Sequence, residues 1–267
     1  MVIAVQAPLF VPATRPDRFA KAARSGTDAV ILDLEDAVAA AEKDAARAAL
    51  TDGFTDLPVV VRINAAGTPW HGADIAALAG LDIAAVMLPK AESPDGVAEV
   101  GAALAGVPVI ALVETAAGLA HARAIAAVPG VVRLAFGSVD FCADTGCAHR
   151  RDILLPARFE LVLASRLAGL AAPLDGVTLR LDDPGPAGDD AAHARDLGMG
   201  GKLCIHPRQV ETVRGAFAPT EAEVEWARRA LASGDGAATV DGAMIDEPLR
   251  IRARAILAAM RPPPASA

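Results

Sequence analysis

Glu114 and Asp140 close two apolar runs, VPVIALVET and VVRLAFGSVDF, that are separated by one helix-length segment. A parallel strand buried on both faces reads as continuous Val, Ile and Leu, so an acid where the chain leaves the core carries a desolvation cost. Two carboxylates on neighbouring strand ends repel unless a proton or a cation lies between them. The chemistry they suit is a hard divalent ion: Mg²⁺ takes one or two carboxylates, keeps waters and leaves positions open for substrate oxygens. A structural reading competes, in which Glu114 caps a helix starting at Ala116 and Asp140 accepts loop N–H groups.

Arg62, inside VVVRIN, is the second departure. A guanidinium does not lose its charge, so within a strand it must meet an anion of the protein or of a ligand. Glu35 or Asp36, at the end of the preceding apolar run, can pair with it. Asp36 would then orient Arg62 while the outer nitrogens offer a two-pronged contact to a substrate carboxylate beside the metal, and both residues count as catalytic candidates. A third cluster, Arg15, Arg18 and Lys21 in LFVPATRPDRFAKA, reads either as a solvated basic helix face or as a seat for a phosphate-bearing ligand. His206 in CIHP is a candidate base, although a histidine beside proline is more often a hydrogen-bonded structural residue. His71, His121, His149 and His193 show no HxH or HExxH spacing and receive no role.

Residues of these types need a scaffold that brings successive strand ends together. Eight short apolar segments recur: Ala7–Ala13, Ala29–Glu35, Pro58–Asn64, Ala84–Lys90, Pro108–Thr115, Val132–Phe141, Asp175–Leu181 and Gly201–Pro207. Between them lie Ala-rich amphipathic stretches such as RPDRFAKAARSG, AEKDAARAALTDG and GLAHARAIAAVPG, opened by Pro or a small polar residue and closed by Gly. This alternation over 267 residues predicts an α/β fold, a (β/α)8 TIM barrel. A doubly wound open sheet is disfavoured, since no GxGxxG follows the first strand and polar strand ends spread along the whole chain.

Composition narrows the class. With 53% hydrophobic residues the chain can build a large core, yet no stretch reaches the ~18 uninterrupted apolar residues of a membrane span. No secretory pattern is visible at the N-terminus, and the expectation is a soluble cytoplasmic protein with no membrane partner. Three cysteines without CxxC spacing argue against a zinc knuckle and a disulfide framework. A net charge of -8 disfavours nucleic acid as partner.

The expected division is a catalytic barrel over 1–232 and a C-terminal lid or helical arm over 233–267. PTEAEVEWARRALASGDG has a helix-capping signature at Thr220. TVDGAMIDEPLRIRARAIL then carries a DG turn, Pro248 and a basic amphipathic helix before the tail RPPPASA. Such an arm either braces its own barrel or reaches a neighbouring subunit.

Taken in order, LFVPATRPDRFAKA, GTDAVILDLEDAVAAAEKDAAR, VRIN, MLPKAES, ETAAGL, FGSVDF, GKLCIHPRQV and DGAMIDEP resemble the acyl-CoA branch of the HpcH/HpaI aldolase and citrate lyase beta-subunit superfamily along nearly the whole chain. The resemblance implies a (β/α)8 barrel in a homotrimer or hexamer, with Mg²⁺, or Mn²⁺ in its place, on Glu114 and Asp140. It implies that Arg62 holds the keto- or hydroxy-acid carboxylate, with Glu114 and Val139 also at the substrate. Phe10, Arg15, Lys21, Ile205 and His206 would line the acyl-CoA site, and Asp246 would act as acid/base across a subunit contact. Gln6-Ala7 stands where many relatives have Arg-Ser. The implied reaction is Claisen-type cleavage or condensation of a 3-hydroxyacyl-CoA thioester of the malyl-CoA or citramalyl-CoA class, giving acetyl-CoA or a homologue and a 2-keto acid. The alternatives are a malyl- or citramalyl-CoA thioesterase, a CoA-free pyruvate-type class II aldolase, and a citryl lyase subunit working on a carrier protein.

Overall fold

The computed structural model describes residues 4–234, 236 and 238–260. By its internal contacts the chain divides into two compact units, 1–215 and 216–267.

The first unit is the (β/α)8 barrel. Its strands are β1 (Leu9–Pro12), β2 (Val30–Asp33), β3 (Val59–Arg62), β4 (Ala85–Leu88), β5 (Val109–Val113), β6 (Val131–Phe136), β7 (Ala171–Asp175) and β8 (Gly201–Lys202). They pair in parallel in chain order, and a parallel bridge between Leu9 and Cys204, with Phe10 N–H donating to the Cys204 carbonyl at 2.9 Å, joins the last strand to the first. The ring therefore has no free edge to protect. The helices are α1 (Phe19–Ala23), α2 (Lys43–Ala48), α3 (His71–Ala77), α4 (Pro94–Ala103), α5 (Ala116–Ala120), α6 (Ala122–Ala126), α7 (Ser138–Thr145), α8 (Arg151–Leu167), α9 (Gly185–Asp196) and α10 (Pro207–Phe217). Ser93 and Thr115 cap α4 and α5, each accepting from a backbone N–H of the first turn, which satisfies donors that the helix itself leaves unpaired. No helix among the described residues is long and apolar enough to cross a membrane.

Ile31, Val60, Met87, Ile110, Leu112, Ala135, Leu174 and Leu203 fill the barrel interior as one buried cluster. Side chains two apart on a strand share a face. Continuing that inward series past Ile31, Val60 and Leu112 arrives at Asp33, Arg62 and Glu114. The same alternation that packs the core thus sets three charged groups at the carboxyl end of the barrel, where enzymes of this architecture carry their sites.

Two expected strands are corrected. The seventh is Ala171–Asp175 rather than Asp175–Leu181: Leu179 and Leu181, apolar in composition, are exposed, while Asp175 ends the strand and takes Arg158 at 2.7 Å and Lys202 at 3.0 Å. The sixth stops at Phe136, so Asp140 lies in the first turn of α7 instead of on a strand end.

The second unit contains α11 (Glu221–Ala232), the hairpin β9 (Ala238–Val240) and β10 (Ala243–Ile245), and α12 (Glu247–Ala259). A capping box at Thr220 and Glu223 starts α11. Asp241 and Gly242 both have positive φ, 53° and 78°, which a two-residue hairpin turn requires. Ala227, Ala230, Ile245 and Ala253 form this unit's small core. The tail RPPPASA lies outside the described residues.

Candidate active site

Arg62 and Asp33 are register partners across the β2–β3 ladder, and both point inward. Arg62 Nε donates to Asp33 Oδ1 and Nη2 to Oδ2, both at 2.7 Å, while Nη1 lies 3.0 Å from Glu35 Oε2. Burial pulls the guanidinium pKa down, but Asp33 and Glu35 outweigh it and the net shift is upward. The Phe10 ring sits against the guanidinium, 4.7 Å from its central carbon. The expected orienting role of Asp36 is corrected here: Asp33 and Glu35 continue the inward period from Ile31, whereas Asp36 is exposed and lines a neighbouring cavity of about 310 Å³ with Lys43, Trp70 and Lys90.

Glu114, at the end of β5, is 1% exposed. Its Oε1 accepts from the Lys90 N–H at 2.9 Å and stands 3.7 Å from Lys90 Nζ, which itself donates to Glu35 Oε1 at 2.8 Å. Lys90 adopts left-handed backbone, φ 47°, and is thereby able to turn both its amide and its ammonium toward the two acids. Gly137 leaves room on the other side, since a Cβ there would overlap the Glu114 carboxylate. Burial, reinforced by Glu35 and Asp140 and only partly opposed by Lys90, pushes the Glu114 carboxyl up to about 8.

Phe10, Arg62, Glu114, Val139 and Asp140 line one small cavity of about 60 Å³, together with Ser138, Val177 and Leu203. These five, taken from four separate stretches of sequence, are the predicted site residues that the fold brings together. Among the described residues no three His, Cys, Asp or Glu side chains form a metal cage. The donor set is instead two carboxylates, one of them pushed toward its neutral form by burial first and by its acidic neighbours second, and this fits a divalent cation that supplies the missing positive charge and keeps waters as its other ligands.

Arg15, Lys21, Ile205 and His206 do not line this cavity. Arg15 pairs with Asp17 at 2.8 Å and Lys21 is exposed on α1. Ile205 and His206 are partly buried at the start of α10, where His206 Nδ1 accepts from Arg208 N–H and Ile205 N–H donates to Gln209. Asp246 belongs to the second unit and caps α12, accepting from Leu249 N–H at 3.4 Å. Lys90 and Asp33 are site residues that sequence reasoning missed. For Asp33 a signal existed in the spacing from Ile31. The left-handed turn at Lys90 has no comparable signature.

Residues 6–207 match the family described as HpcH/HpaI aldolase/citrate lyase. The chain is 44% identical over 260 residues to a citrate lyase subunit beta-like protein of Mycobacterium tuberculosis, covering 93% of each. It is 34% identical over 264 residues to a (3S)-malyl-CoA thioesterase of Cereibacter sphaeroides, covering 94% of this chain and 92% of the relative. Among solved structures it resembles the CitE protein of Mycobacterium tuberculosis in complex with magnesium, acetoacetate and coenzyme A, with a TM-score of 0.87, 42% identity and coverage of 96% and 98%.

Proposed function

The chain belongs to the HpcH/HpaI aldolase/citrate lyase family, and from that premise we propose that it is a Mg²⁺-dependent carbon–carbon lyase acting on a 3-hydroxyacyl-CoA thioester of the malyl-CoA or citramalyl-CoA class. The observation that carries the reading is the single cavity shared by Arg62, Glu114 and Asp140. A guanidinium beside two acids is arranged for a ligand that brings a carboxylate to the arginine and oxygen donors to a cation. The similar structure with magnesium, acetoacetate and coenzyme A supports that assignment of ligand classes.

Glu114 and Asp140 would hold the Mg²⁺, which when bound lowers the pKa of a coordinated hydroxyl and steadies negative charge on oxygen. Arg62, clamped by Asp33, uses the N–H groups not taken by Asp33 to fix the substrate carboxylate, so the hydroxylated carbon is presented in one orientation. Phe10 packs its ring on one face of the guanidinium. Lys90 balances the negative charge of Glu35 and Glu114. Cleavage then releases a 2-keto acid and a thioester enolate, whose α-carbon takes a proton from Asp246. In this reading Asp246 arrives on the arm of a neighbouring subunit of a homo-oligomer, and Arg15, Lys21, Ile205 and His206 meet the CoA portion.

The second reading is hydrolysis of the same thioester, favoured by the similarity to a malyl-CoA thioesterase. Malyl-, citramalyl-, citryl- and β-methylmalyl-CoA, each supplied with Mg²⁺ while keto acid and free thiol are followed separately, distinguish the two. The lyase produces keto acid without free thiol. A thioesterase produces free thiol and the intact hydroxy acid.

A further inference from the structure

α7 ends at Gly146, whose φ of 72° and N–H bond to the Cys142 carbonyl at 2.9 Å close the helix in a left-handed turn. This form of helix ending folds the chain back, so that the residue after the glycine lies against the residue four before it. In this chain both positions are cysteines. The Cys147 Sγ lies 3.5 Å from the Cys142 Sγ, with Cys142 buried and Cys147 half-buried. The third cysteine, Cys204, is fully buried in the barrel wall, where it bridges to Leu9.

We propose that Cys142 and Cys147 are a reversible oxidation site that closes to an intramolecular disulfide and thereby perturbs the acid pair of the cavity. The oxidant class is a small-molecule disulfide or hydrogen peroxide. With a small disulfide, Cys147, the thiol that solvent reaches, attacks one sulfur as thiolate and expels one small thiol. Cys142 then loses its proton and attacks the Cys147 sulfur, and the second small thiol leaves. The protein gives up two hydrogens and the small disulfide is reduced to two thiols. With peroxide the O–O bond breaks at Cys147 to give a sulfenic acid and one water, and Cys142 displaces the second water as the S–S bond forms.

The sulfurs must approach by about 1.5 Å to reach bonding distance. That movement is transmitted along short paths. Cys142 is two residues beyond Asp140 on α7, and the segment after Cys147 carries His149, whose Nε2 lies 2.9 Å from the Ser138 Oγ. Ser138 and Asp140 both line the cavity with Glu114 and Arg62. Pulling Cys147 inward therefore acts on the first turn of α7 from both sides.

The test uses the full reduced chain, exposed to oxidised glutathione or to peroxide, then denatured and alkylated. The expected result is an intact mass lower by two hydrogens, a single alkylatable thiol assigned to Cys204, a cross-linked Cys142–Cys147 peptide, and full reversal by dithiothreitol. Three alkylatable thiols, or a persistent adduct on Cys147 without the cross-link, overturn the site. The effect on the cavity rests on the proposed metal site and is read by Mg²⁺ calorimetry. Oxidation should change the affinity at least threefold in the wild-type chain and leave Cys147→Ser unchanged. A formed cross-link with unaltered Mg²⁺ affinity overturns the coupling. If the reduced chain binds no Mg²⁺, the metal assignment fails while the thiol mapping still decides the oxidation site.

Discussion

Asp33 holds Arg62 through two parallel hydrogen bonds of 2.7 Å, from adjacent strands and in register, so the guanidinium is fixed by its own barrel wall before any ligand arrives. The pair is buried, and the Asp33 side chain is 1% exposed. Removing one partner of such a pair leaves an uncompensated charge and costs on the order of 3–5 kcal/mol. Asp33→Asn should therefore lower thermal stability by that order and weaken keto-acid binding together. Arg62→Lys keeps the charge but loses the fork, and pyruvate or glyoxylate affinity measured by calorimetry should fall at least tenfold. Unchanged affinity in Arg62→Lys would return the arginine to a purely structural role.

Gly137 should tolerate no side chain. The added Cβ of Gly137→Ala overlaps the Glu114 carboxylate and its Cβ, both enclosed by the barrel, so neither can step aside without leaving the cavity. Overpacking of this kind costs about 1–3 kcal/mol, and the melting temperature should drop accordingly with a larger loss in Mg²⁺ affinity. Wild-type affinity in Gly137→Ala would show that Glu114 can move freely.

The pH dependence of the metal-free protein should run in an unusual direction. A carboxyl whose folded pKa is raised to about 8 binds more protons folded than unfolded between its ordinary value and that pH. Stability contributed by this group is thus present at low pH and declines as pH rises toward 8. A cation competes with the same proton, so Mg²⁺ affinity should rise about tenfold per pH unit below 8 and level off above it. Calorimetry between pH 6 and ~9 checks this slope, which should vanish in Glu114→Gln.

Much of this architecture is legible in the residues. Glu114 and Arg62 stand out because each interrupts a run whose other members are buried on both faces, and a charge there needs a partner. The acids near Arg62 are less legible, because LDLED offers three and only the strand register decides which face inward. Counting by two from Ile31 selects Asp33 and Glu35 and passes over Asp36. The seventh strand is hidden for the opposite reason. AAPLD contains Pro173 and small residues, whereas VTLRL looks more strand-like, yet burial against α8 rather than propensity chooses the segment. The thiol pair was invisible because a spacing of five carries no pattern; the left-handed Gly146 creates the contact.

Asp246 caps α12 and is proposed as the proton donor at the thioester α-carbon. Asp246→Asn preserves a capping side chain, so the fold of the second unit should persist within about 1 kcal/mol while lyase turnover falls by at least 100-fold. Mixing an Arg62→Ala chain with an Asp246→Asn chain should restore part of the activity if the arm serves a neighbouring barrel. Mixed oligomers that form but stay inactive would confine the arm to its own subunit or remove it from catalysis.

The central claim is that Glu114 and Asp140 hold a cation on which thioester cleavage depends. The most direct measurement follows keto-acid release from malyl-CoA by the wild-type chain, Glu114→Gln and Asp140→Asn, with Mg²⁺ and with excess chelator. Keto acid should form only in the wild-type chain with Mg²⁺, in equal amount to acetyl-CoA. Equal release in the presence of chelator, or full activity in both variants, would contradict the account.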